Sequence, residues 1–241
     1  IMALPIVNSS RYEVTIPSMN VKVEYRPFLV KEEKLLMVAL ESKDDGLIVR
    51  SLKDVIRSCV YDDIDVNNLT TFDLEFLFLK LRAKSVGETV ELKFPCEGEE
   101  CKQTIPVNLN LEEIELQGID PDRIVMVTDE VGVQFNYPSL DVIESVSIKP
   151  ESSQEEQLKA TLGLIASAIG NIFDTDNVYP ASDSSEEELV GFLDELNSSQ
   201  FKKIADWFSN LPYLAKDVEY KCNKCGHEHS MELRGLQSFF T

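Results

Sequence analysis

Four of the five cysteines fall in two short pairs, Cys96/Cys101 and Cys222/Cys225, set far apart in the chain. A thiolate pair on a tight turn supplies two corners of a tetrahedral zinc site, so two such turns can close one site between them. Cys222-Asn223-Lys224-Cys225-Gly226 has the C-x-x-C spacing that lets both sulfurs face one ion, and its glycine suits the left-handed backbone such a turn needs. Cys96-Glu97-Gly98-Glu99-Glu100-Cys101 is wider and has Lys102 where a glycine would stand. Its turn must differ, and Gly98 is expected to supply the flexibility. Two complete pairs leave no open coordination position. The expected metal is therefore a structural Zn2+ held by Cys96, Cys101, Cys222 and Cys225.

The other candidates for chemistry are few. His227 and His229 stand too close to the second pair to complete a site on one turn, and are expected to be exposed polar residues on a returning strand; the other readings are that one replaces a cysteine if the halves do not meet, or helps bind metal from a second molecule. Cys59 lies on an apolar helix stripe and reads as core. The sequence holds no glycine-rich phosphate loop, H-E-x-x-H, G-x-S-x-G or dinucleotide fingerprint. Both of its histidines flank the cysteine turn, so a serine or cysteine nucleophile has no independent base. The expectation is a protein that is not an enzyme.

The formal net charge of −20 repels phosphate backbones and anionic lipid, which argues against nucleic acid or membrane as partner. A zinc-ribbon nucleic-acid-binding or regulatory protein stays as the alternative reading, because paired cysteine turns serve that use. No run reaches the roughly 18 apolar residues of a membrane span, and no basic-then-apolar leader opens the chain. Reduced thiols in a cytoplasm are expected, which favours metal over disulfide.

The elements that must carry the cysteines occur twice. Val21-Lys22-Val23-Glu24-Tyr25-Arg26-Pro27 and Val131-Gly132-Val133-Gln134-Phe135-Asn136-Tyr137-Pro138 are alternating strands running into Tyr and Pro. An amphipathic helix follows each, on Leu47, Ile48, Leu52, Val55, Ile56 and Cys59 in one copy. In the other, the stripe is Leu158, Leu162, Ile165, Ala166, Ile169 and Phe173. A second helix follows, on Leu74, Leu77, Phe78 and Leu81 or on Phe201, Ile204, Ala205 and Phe208, and then strand, cysteine turn, strand. The expected fold is α+β, with two related halves, 2–118 and 119–241, each strand–helix–helix–cysteine hairpin, joined by one shared zinc-ribbon-like site. Asp174 to Glu188 reads as an acidic insert, its Ser184-Ser185-Glu186-Glu187-Glu188 run leading into a helix. The run Phe28 to Met37 is expected to be mostly core, and the terminal aromatics Phe239 and Phe240 to fold back onto the second half, with docking on a partner as the other reading.

Met2-Ala3-Leu4-Pro5, the run Tyr25-Arg26-Pro27-Phe28-Leu29-Val30-Lys31-Glu32-Glu33-Lys34-Leu35-Leu36 and the two cysteine hairpins together resemble the baseplate hub proteins of T4-like contractile-tailed phages. That family includes a hub subunit and a related hub-assembly factor of similar size. The resemblance is best over the first hundred residues and the last hairpin. It implies a structural or assembly role in the central baseplate hub, with other hub or tail proteins as partners. It also implies the cytoplasm of an infected bacterium as the place of action, with the virion baseplate as a further one. It transfers no catalytic residue.

Overall fold

The computed structural model describes residues 9–42, 44–98, 101–120, 122–140, 142 and 153–239. Among these, six α-helices and eleven strands make a mixed α+β fold. In chain order they are β1 (Tyr12–Ile16), β2 (Val21–Tyr25), α1 (Val30–Ser42), α2 (Asp45–Cys59), α3 (Thr71–Ser85), β3 (Thr89–Pro95), β4 (Thr104–Asn110) and β5 (Glu115–Gln117). There follow β6 (Ile124–Met126), β7 (Gly132–Phe135), α4 (Gln154–Ala168), β8 (Ile169–Phe173), β9 (Val178–Pro180), α5 (Glu186–Asp194), α6 (Ser198–Ser209), β10 (Tyr213–Lys221) and β11 (Glu228–Arg234). No helix among the described residues is long and apolar enough to cross a membrane.

The chain divides into two compact units, one of Ile1–Val66, Thr71–Gln117 and Tyr213–Thr241, the other of Asn67–Thr70 and Gly118–Pro212. These units are drawn differently from the expected halves 2–118 and 119–241. The break near Gln117 recurs, but the last hairpin joins the first unit. Strand pairing is the physical reason: β10 runs antiparallel to β5, with Tyr213 opposite Gln117, as well as to β11.

In the first unit α3 is buried almost all round, which is the signature of a helix at the centre of a core. The expected stripe of Leu74, Leu77, Phe78 and Leu81 is buried, and so are Phe72, Leu79 and Ala83. Helix α2 turns Leu52, Val55, Ile56 and Cys59 inward, as its period predicts, whereas Leu47 in its first turn is exposed. Asp73, fully buried near the start of α3, accepts hydrogen bonds from the Ser18 amide (3.0 Å) and hydroxyl (2.5 Å), which ties down the β1–β2 turn. At the C-terminus Leu236 and Phe239 are buried, so the tail folds back as expected; Phe240 lies outside the described residues.

Helix α1 corrects one expectation. Phe28, Glu32, Leu36 and Ala39 are buried, yet Val30, Met37, Val38 and Leu40 are each more than half exposed. The run is an outer helix held at its start by a buried ion pair rather than a core segment. Glu32 accepts from the Leu29 amide (2.8 Å) and from Arg26 Nη2 (3.0 Å), while Arg26 also donates to the Pro27 and Ser58 carbonyls.

The second unit is built on one antiparallel sheet, β6-β7-β8-β9. Val133, Phe135, Ile165, Ile169, Leu193 and Ile204 form its core, and Phe135 stacks on Trp207 at 4.9 Å. The helical stripe expected to run through Ile169 to Phe173 ends at Ala168. Gly170 weakens a helix here, the branched Ile169 and Ile172 suit a strand, and pairing on both edges makes Ile169–Phe173 into β8. Ser185 caps α5 in reciprocal hydrogen bonds with Glu188, so the Ser184–Glu188 run is the helix lead-in it reads as.

Candidate metal centre

Both cysteine pairs sit at hairpin tips in the first unit, and the two hairpins share one register. In β3–β4 the ladder runs from Thr89 opposite Asn110 to Pro95 opposite Thr104; in β10–β11 it runs from Ala215 opposite Arg234 to Lys221 opposite Glu228. Counted from the cysteines, every pair of the first ladder has its counterpart in the second. The tips close alike too. The Cys96 amide donates to the Gln103 carbonyl at 2.8 Å and the Cys222 amide to the His227 carbonyl at 2.9 Å, each acceptor lying two residues past its second cysteine.

The hairpins meet at their tips. Cys96 Sγ lies 3.5 Å from Cys225 Sγ, Cys101 Sγ lies 3.7 Å from Cys222 Sγ, and all four sulfurs fall within 4.8 Å of one another. Around a tetrahedral ion with bonds of about 2.3 Å, sulfurs stand about 3.8 Å apart, so this set could hold a metal ion. Cys96, Cys101 and Cys222 are buried against Ile105, and Cys225 is exposed.

Electrostatics divides the thiols. The amides of Cys225 and Lys224 point at the Cys222 sulfur and lower that thiol to about 6, which readies a thiolate at neutral pH. The Gly98 amide favours the Cys96 thiolate, but desolvation and the neighbouring thiols outweigh it and raise Cys96 to about 12. Adjacent sulfurs resist carrying several negative charges, and a cation placed among them removes that resistance.

Gly226 takes the left-handed backbone its position calls for, at φ +74°. Gly98 does not, which corrects its expected role. A Cβ there would stand 3.3 Å from Cys225 Sγ and 3.5 Å from Cys96 Sγ, so Gly98 supplies room for the sulfurs rather than flexibility. His227 is exposed as expected, but His229 is buried. It stacks on Tyr220 at 4.6 Å, and its Nε2 has no hydrogen-bond partner among the described residues. The register explains the burial: His229 stands opposite Tyr220 as Ile105 stands opposite Phe94, so it fills a core-facing position of the ladder. Cys59 is fully buried and burial pushes its thiol up to about 11, in keeping with a packing role. The sequence reading missed one contact, the stack of Phe94 on Tyr220. Its signal is an aromatic residue two places before each pair's first cysteine.

Residues 9–241 match the family described as T4 bacteriophage base plate protein, and the chain belongs to that family. It is similar to the baseplate hub assembly protein gp26 of Enterobacteria phage T4, with 25% identity over 219 residues covering 90% of this chain and 92% of that one. The match thus runs through the middle of the chain as well as its ends. No solved structure matches it.

Proposed function

We propose that this chain is a structural or assembly protein of the central baseplate hub of a contractile-tailed phage, working through contacts with other hub or tail proteins. The family match over residues 9–241 is the observation that carries this reading, and the likeness to a hub assembly protein supports the finer part of it. Its place of action is the cytoplasm of the infected bacterium, and the baseplate itself if the protein stays in the particle. The apolar outer face of α1 supports a role in binding other proteins, since a free helix seldom presents so much apolar surface to water.

In the same reading Cys96, Cys101, Cys222 and Cys225 hold a structural zinc ion. The ion would supply four bonds that pin one hairpin tip to the other, and four thiolates would leave it no position for a substrate. The chain's own part is to gather the sulfurs, direct amides at Cys222 and keep bulk from the place Gly98 occupies. The matching registers and tip closures support descent of the two halves, 2–118 and 119–241, from one duplicated unit, the second having gained β8, β9 and α5.

Mass spectrometry of purified virions against infected-cell lysate tests the proposal. Recovery with tail proteins in lysate alone identifies an assembly factor, and recovery in both identifies a hub part. A chain that copurifies with no tail protein, from a phage that builds normal baseplates without it, sinks the proposal.

A further inference from the structure

The second unit carries an open groove with an apolar floor. Ile172 and Phe173 at the end of β8 face Leu189 and Phe192 of α5 across it, and Tyr179 of β9, half-exposed, forms its lip. The floor is set by close packing. A Cβ on Gly132 would fall within 2.3 Å of Phe173 Cζ, so glycine at that position lets the Phe173 ring approach β7. Asp174 and Glu188 line the same groove.

The segment that supplies most of this floor carries charge of one sign. Ala160 to Phe201 contains eight carboxylates and no lysine, arginine or histidine. Among the described residues, none of those eight takes part in an ion pair. Asp174 accepts from the amides of Asp176 and Asn177, both at 2.8 Å, and from the Tyr179 hydroxyl at 3.0 Å, and Glu188 accepts from the Ser185 amide at 2.8 Å. Those amides hold both carboxyls below their usual range without neutralising them. An apolar floor fenced by unpaired anions complements an apolar anchor flanked by cations. A second copy of this chain, itself at −20, is a poor occupant.

We infer that the groove between β8, β9 and α5 docks a lysine- or arginine-rich segment of a partner protein, which sets an apolar side chain on Phe173 and Phe192 and its cations against Asp174 and Glu188. This rests on the hub-assembly reading and names the chemistry of one partner surface within it. The probes are three short fluorescein-labelled peptides, of leucine and lysine, of leucine and glutamate, and of serine and lysine, titrated by anisotropy into the full chain. Asp174→Asn with Glu188→Gln removes both charges while keeping the turn and the capping box, which accepts Gln at that place. Tyr179→Ser trims the exposed lip, and circular dichroism confirms that each variant is folded. The leucine–lysine peptide should bind, at least fivefold more weakly to either variant, and the other two peptides should not. Equal binding to wild type and variants, or equal binding of the serine–lysine peptide, overturns the inference. In phage lacking the gene, wild type should restore baseplates and the combined variant should not. Full rescue by the folded variant overturns the groove alone, whereas normal baseplates without any copy overturn the hub reading.

Discussion

The ring of Phe94 stacks on that of Tyr220, centroids 5.4 Å apart and planes within 23° of parallel. Each residue stands two places before the first cysteine of its hairpin, so an operation exchanging the hairpins would map this contact onto itself. The same operation carries the Cys96–Cys225 contact onto Cys101–Cys222, the two closest sulfur pairs across the cluster. A local two-fold relation of this kind is what a duplicated hairpin, folded back on its twin, would leave behind.

One zinc per chain is the first expectation, read by elemental analysis of protein purified under reducing conditions. Structural zinc contributes on the order of 10 kcal/mol of apparent binding energy at neutral pH. Cys222→Ser should therefore lose the metal and melt about 10 °C or more below wild type, since each kcal/mol shifts a chain of this size by roughly 2–4 °C. Metal-free protein, or a variant that melts with the parent, would count against the clamp.

The buried Arg26–Glu32 pair predicts an acid-sensitive start to α1. Burial alone would raise the Glu32 carboxyl, but hydrogen bonds from Arg26 and the Leu29 amide outweigh it and hold the group below its ordinary value of 4.5. A depressed carboxyl gives stability that is fully present above the unfolded value and lost as pH falls through the lower folded one. Glu32→Gln should flatten the loss of stability below about pH 4.5 in urea titrations. Arg26→Ala, which leaves the buried carboxylate only the Leu29 amide and Lys31 Nζ at 3.4 Å, should cost roughly 3 kcal/mol at pH 7. Parallel acid limbs for wild type and Glu32→Gln would refute this account.

His229 predicts a gain on removal. It fills the ladder position that Ile105 fills in the other hairpin, with Nε2 buried and unpaired among the described residues. His229→Ile should stabilise the zinc-loaded protein by about 1 kcal/mol, and the reverse change Ile105→His should destabilise it by about 2 kcal/mol. Denaturation midpoints at fixed zinc decide it; a less stable His229→Ile would point to a polar partner for the imidazole.

Phe239, fully buried near the chain's end, should behave as core rather than tail. Phe239→Ala is expected to cost about 3–5 kcal/mol. A change under about 0.5 kcal/mol, the size typical of surface positions, would show that the tail is not docked.

The sequence makes the cysteine cluster legible because tight turns fix sulfur geometry locally and chemistry restricts what paired thiolates do. The stripes of α2 and α3 were legible for a similar reason, since Leu52, Val55 and Ile56 repeat with the helix. Ile169–Phe173 was not. Its apolar residues continue the α4 stripe in phase, and only pairing with β7 and β9, which is non-local, makes the segment a strand. Helix α1 misled in the opposite sense. Apolar content argues for burial, but which of Leu36 and Val38 faces inward depends on where Arg26 and Glu32 anchor the helix. The burial of His229 needed the register, which the two cysteine turns contain but which emerges only when the hairpins are aligned.

Because β10 and β11 complete the first unit, that unit cannot close until Glu228–Arg234 has been made. Cys101 and its partner Cys222 are 121 residues apart. At roughly 5–20 residues per second, the ribosome delivers the second thiol about 6–24 s after the first. Within that interval Gly118–Pro212 is made and, with Asn67–Thr70 already present, completes the second unit before Cys222. Cys96 and Cys101 meanwhile stand without Cys222 and Cys225, and on the zinc reading would offer a metal only two of its four ligands. The later hairpin is thus also the one that decides whether each chain closes on itself.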